Sequence, residues 1–100
     1  SSMDPCILKV KIKGDSMWPT FKEGEHIQCS TYSGQNISEG DVIVFHHPYK
    51  PDVTCVKRVK SVSEKGLFVE GDNPDPLASE DSHNYGLISY NAMIAIHTSS

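Results

Sequence analysis

The chain has 100 residues and a formal net charge of −4, with nine Lys and Arg against 13 Asp and Glu. That length predicts one small domain spanning residues 1–100. The shortage of basic residues argues against nucleic acid as a partner, because a phosphate reader needs a basic face. Val and Ile total 16 whereas Ala and Leu total 7, a balance that predicts a mostly-β fold and excludes a helix bundle.

Ser1 and Ser2 read as a tag remnant ahead of Met3. No apolar run approaches the roughly 20 residues that span a bilayer. Neither a signal peptide nor a membrane anchor is expected, and the expected location is cytoplasmic. Cys6, Cys29 and Cys55 show no C-x-x-C spacing and read as reduced thiols, with a Cys29–Cys55 disulfide left open.

Along the chain, Leu8-Lys9-Val10-Lys11-Ile12-Lys13 alternates apolar and basic residues, the pattern of a half-buried strand that stops at Gly14-Asp15. Ser16-Met17-Trp18-Pro19-Thr20 then forms a rigid bend, since Pro19 fixes its own φ and restricts Trp18. Met17 and Trp18 are expected to pack locally. A duplicated pattern follows: Lys22-Glu23-Gly24-Glu25-His26-Ile27 resembles Ser38-Glu39-Gly40-Asp41-Val42-Ile43. Each copy reads as a glycine turn feeding a strand, with its acids as solvated turn residues. Val42-Ile43-Val44-Phe45 is the most apolar strand, ended by His46-His47-Pro48.

Residues 53–62 and 66–70 are two further strands, joined by a turn at Glu64-Lys65-Gly66. Residues 71–86 are irregular and polar, and such a loop in so small a domain is commonly functional. Residues 87–97 read as one or two closing strands. The five histidines read as scattered surface residues without metal-ligand spacing, so no metal and no cofactor is expected.

Lys57 does not fit a purely structural strand. It shares a face with Cys55 and Val59, while Thr54, Val56, Arg58, Lys60 and Val62 take the other. Either its amine loses hydration there, which favours the neutral, basic form, or the side chain snorkels to water and stays charged. Ser16 sits on the bend after the first strand, where a base could activate its hydroxyl and its own backbone N–H could receive an oxyanion.

Four segments in order carry a family resemblance: Gly14-Asp15-Ser16-Met17-Trp18-Pro19-Thr20, Gly40-Asp41-Val42-Ile43-Val44, Val56-Lys57-Arg58-Val59, and Gly71-Asp72-Asn73-Pro74 with Ser79-Glu80-Asp81-Ser82. The chain resembles the signal peptidase and LexA-type superfamily of Ser–Lys proteases. Its small size and its Gly71–Pro74 loop look most like the soluble proteases that mature nickel-type superoxide dismutase.

The resemblance implies a compact fold of coiled antiparallel sheets and a serine endopeptidase that removes a leader or propeptide. It makes Ser16 the nucleophile, Lys57 the general base and Ser79 the residue that orients the lysine amine. Asp72, Asn73, Asp81 and Ser82 would support the loop, and Gly14, Asp15 and Met17 would touch substrate. The substrate would add as an extended strand beside residues 8–13 and the run leading to Lys57. His83 stands where the family usually has an arginine paired with the aspartate, and Gly14 where some members carry an oxyanion hydroxyl.

Three rivals share the fold or its binding mode. A self-cleaving repressor is disfavoured because only fifteen residues precede Ser16 and there is no Ala-Gly or Cys-Gly cut site. The soluble part of a membrane signal peptidase and a non-catalytic peptide-binding module are the others.

Overall fold

A computed structural model describes residues 7–14, 16–50, 52–74 and 86–97. Six strands form one sheet: β1 (Ile7–Lys11), β2 (His26–Thr31), β3 (Val42–His46), β4 (Thr54–Val62), β5 (Leu67–Glu70) and β6 (Met93–His97). Their order is β1-β2-β6-β3-β4-β5, and every neighbouring pair is antiparallel. The mostly-β expectation holds. The only described helix is a single 3-10 turn, Tyr90–Ala92, whose start is capped by the Ser89 hydroxyl accepting from the Asn91 N–H.

The duplicated turn is real and detailed. In the first copy the Glu25 N–H donates to the Lys22 carbonyl at 3.0 Å, and in the second the Asp41 N–H donates to the Ser38 carbonyl at 3.1 Å. The same acid closes each turn from the other side: Glu25 Oε1 accepts from the Lys22 N–H at 3.0 Å, and Asp41 Oδ2 from the Ser38 N–H at 2.9 Å. Gly24 and Gly40 hold φ values of 85° and 95°, which a side chain resists. Each turn then exchanges a hydrogen-bond pair with a neighbouring strand. Gly24 and Glu25 pair with Ile12, and Gly40 and Asp41 pair with Val59, all at 2.7–2.8 Å. The acids of these turns are therefore backbone caps as well as solvated groups.

Both faces of the sheet are covered, which explains the continuous apolar run in β3. Val42 and Val44 join Ile12, Met17, Phe21, Ile27, Cys29 and Ala95 in one cluster. Ile43 and Phe45 join Val59, Leu67, Val69 and Ile88 in the other. The β4–β5 hairpin closes on reciprocal bonds between Ser63 and Gly66, so Glu64-Lys65 is its two-residue loop.

Residues 87–97 hold one strand, within the one or two expected, preceded by a bridge from Ile88 to Leu67 and the 3-10 turn. Two expectations need correction. Trp18 does not pack inside: it is 47% exposed, whereas Met17 beside it is fully buried. His47 is buried rather than a surface histidine, and its Nδ1 accepts from the Tyr49 N–H at 3.1 Å.

Candidate active site

β1 feeds the serine bend. After Ile12 the chain passes Gly14, whose φ of 77° favours glycine, so a side chain with a hydroxyl would be strained at this position. The Gly14 N–H donates to Glu23 Oε1 at 3.3 Å. Residues 16–20 turn, and the Phe21 N–H closes the bend on the Met17 carbonyl at 2.9 Å. Burial of Met17 and Phe21 in the first cluster anchors the bend from below and leaves Ser16 partly exposed.

β4 supplies Lys57, directly opposite Ile43 of β3. Its neighbours on that face are half-buried Cys55 and fully buried Val59, and Lys57 itself is 5% exposed. The side chain is thus buried and does not snorkel into water. Ser16, Gly14, Met17 and Lys57 all line one cavity of about 710 Å³, with walls from β1 and from residues 52–57. Four places separate β1 from β4 in the sheet order, so the sheet curls to bring them to one cavity.

The loop at residues 71–74 is stitched to this bend. The Asn73 N–H donates to the Ser16 carbonyl at 2.9 Å. The Asp72 carboxylate accepts from Thr20 Oγ1 at 2.5 Å and takes both Arg58 Nε and Nη2, at 2.8 and 2.7 Å. Arg58 Nη1 reaches on to the Gly40 carbonyl at 2.7 Å. One carboxylate therefore ties the end of the serine bend to the strand that carries Lys57 and to the second glycine turn. The bidentate Arg58 hydrogen bonds, helped by Thr20, hold Asp72 below the usual carboxylate range against the opposing effect of burial. Arg58 is correspondingly raised by its bond to Asp72.

Arg58 and Thr20 were not among the sequence candidates. Both lie inside the quoted motifs. The alternation that puts Lys57 inward puts Arg58 on the opposite face, and nothing local shows that Asp72 awaits it there. Asp15, Ser79, Asp81, Ser82 and His83 lie outside the described residues. Among the described residues no disulfide joins Cys29 and Cys55, which pack with different clusters. Burial pushes the Cys29 thiol up. No three His, Cys, Asp or Glu side chains gather as a metal site among the described residues, and no described helix is long and apolar enough to cross a membrane.

A hydroxyl on a braced bend and a buried amine facing one cavity are the parts from which a serine hydrolase can be built. The model of the family described as signal peptidase, peptidase S26, matches residues 5–63, and the chain belongs to that family, at which level it is a signal-peptidase-like serine protease. The match takes in the serine bend, the second glycine turn and Lys57, and it ends before the loop at residues 71–74. No curated protein matches the chain.

Proposed function

We propose that the chain is an endopeptidase with a Ser16–Lys57 dyad that trims a leader or propeptide from a protein substrate. The observation that carries this reading is the shared cavity, which Ser16 and the buried Lys57 both line. Neutral Lys57 takes the Ser16 proton as Oγ attacks the peptide carbonyl. The Ser16 N–H receives the developing oxyanion. The lysinium then protonates the leaving amine, the C–N bond breaks, and water hydrolyses the acyl-enzyme ester. Ser79 orients the amine, and Asp81 and Ser82 support the loop with Asp72 and Asn73.

The substrate lies extended along the outer edge of β1, as strand addition requires. β1 ends the sheet, and β5 pairs with β4 only from Arg58 onward, so the cavity adjoins the half of β4 that β5 does not cover. Gly14, Asp15 and Met17 flank the scissile bond. The proposed substrate is the precursor of a nickel-type superoxide dismutase, and the proposed location is the cytoplasm.

The test is incubation with that precursor and with unrelated leader-bearing proteins, reading new N-termini by mass spectrometry. Ser16→Ala is expected to abolish cleavage without loss of fold. Cleavage by the Ser16→Ala protein at the wild-type rate would end the dyad reading. Cleavage of other leaders but not the dismutase precursor would end the substrate assignment alone.

A further inference from the structure

We infer that the cavity selects an acidic peptide, with carboxylates at alternating positions meeting Lys9 and Lys11 on β1 and Lys13 just past its end. The inference rests on the peptidase reading for the site and adds the chemistry of its substrate.

The chain carries nine basic residues and a net charge of −4, yet Lys9, Lys11, Lys13 and Lys57 line this one cavity. Asp52 is the acidic residue among its described lining. Lys9, Lys11 and Lys13 are exposed, and among the described residues none of them makes an ion pair. Their cross-strand neighbours offer no compensation: Lys9 stands opposite Gln28, and Lys11 opposite His26. The nearby Glu23 and Glu25 carboxylates are turned to the backbone N–H groups of Gly14 and Lys22. Among the described residues, Lys9, Lys11 and Lys13 thus stand along and just past a sheet edge with no carboxylate paired to them.

Strand geometry makes this specific. Side chains of an extended chain repeat on one face every second residue, and directly opposed pairs on adjacent strands interact most strongly. Lys9 and Lys11 occupy such alternate positions on β1, and Lys13 follows Ile12, whose backbone continues the pairing with Gly24 and Glu25, so a peptide added beside β1 meets the lysines with every second residue. The intervening residues fall on the side of Leu8, Val10 and Ile12. Carboxylates in alternation, separated by small or apolar residues, satisfy both faces. A basic peptide meets three cations and is disfavoured.

The test uses the Ser16→Ala protein, which holds peptide without consuming it, and fluorescein-labelled decapeptides. One alternates Glu with Ala, one alternates Lys with Ala, and one carries the same number of Glu residues as a single block. Anisotropy should show the alternating Glu peptide binding about tenfold tighter than the Lys peptide at low salt, and tighter than the block. The advantage should fade as ionic strength rises from about 20 to 500 mM, where the screening length shortens to a few ångströms.

Adding Lys9→Glu, Lys11→Glu and Lys13→Glu together should invert the preference. Lys11→Gln alone should reduce it, which keeps the test available if the triple variant does not fold. Equal affinity for the Glu and Lys peptides overturns the inference, as does a preference that the substitutions leave unchanged. Wild-type protein incubated with the same peptides separates the two claims. Acid-selective binding with no cleavage of any protein or peptide sinks the peptidase reading and leaves the selectivity. Cleavage without charge preference does the reverse.

Discussion

At the scale of single residues, Lys57 and Asp72 place their ionisable groups in different settings. Lys57 is buried on one face of β4 between Cys55 and Val59. If it is the base, Lys57→Met should lower the cleavage rate by about 10²–10⁴-fold. Circular dichroism of the variant would show whether the fold survives, and wild-type cleavage by a folded variant would refute the role. Asp72 keeps its charge because Arg58 grips both its oxygens.

The stability consequence has a definite sign. A carboxyl held below its ordinary value binds fewer protons in the folded state. Its contribution is therefore present above the unfolded carboxyl value, near ~3.9, and is lost as pH falls through the folded one. Asp72→Asn should cost about 1.5–3 kcal/mol at neutral pH, the range for hydrogen bonds to a charged partner. The gap between variant and wild type should narrow as pH falls from about 4 towards 2. Melting curves across pH 2–7 read this directly, and a gap that stays constant through acid would show that the carboxylate charge is not what binds the loop.

Among the elements, the β4–β5 hairpin carries the sharpest steric constraint. Leu67 and Ile88 exchange backbone hydrogen bonds at 2.9 and 2.8 Å, which brings a second strand segment across Gly66. A Cβ on Gly66 would stand 2.6 Å from the Ile88 carbonyl oxygen. Gly66→Ala should therefore cost about 1–3 kcal/mol, as overpacking against backbone does. Gly24 and Gly40 have open space around them, so alanine there costs only the left-handed conformation, about 1–2 kcal/mol. Denaturant titration of the three variants checks the order, and equal costs would remove the close approach as the reason for Gly66.

These elements were legible in different degrees. Alternation in β1, the apolar run of β3 and the face assignment in β4 follow from local side-chain period, so the strands at residues 7–11, 42–46 and 54–62 match the pattern closely. The glycine turns were visible because a left-handed residue has a strong composition signal. The 3-10 turn at residues 90–92 leaves no such period, since three residues are too few to show one.

For the whole molecule, β6 is decisive. It lies between β2 and β3, pairing Ser30 with Ile96 on one side and Ile43 with Ile96 on the other. A chain stopped after Ala92 would leave β1-β2 as a two-stranded ribbon, marginal in water, and would strip β3-β4-β5 of the strand that pairs with β3. Loss of cooperative unfolding and of dispersed amide NMR signals is expected for that truncation. A cooperative transition close to that of the intact chain would show that β6 is not what joins the halves. Phe45, fully buried on one face of β3, gives a second measure: Phe45→Ala should cost about 3–5 kcal/mol by chemical denaturation.

From the sequence alone one could read the β class, most strands, both glycine turns and the odd placement of Lys57, because each is expressed in the spacing or composition of a few adjacent residues. Tertiary structure alone decided that the last strand enters the middle of the sheet, that His47 is buried and Trp18 exposed, and that Arg58 and Thr20 converge on Asp72. It also decided that the sheet curls enough for Ser16 and Lys57 to line one cavity. The physical reason is that these contacts join residues far apart in the chain. They depend on pairing register, twist and the burial of both sheet faces together, and no local period records them.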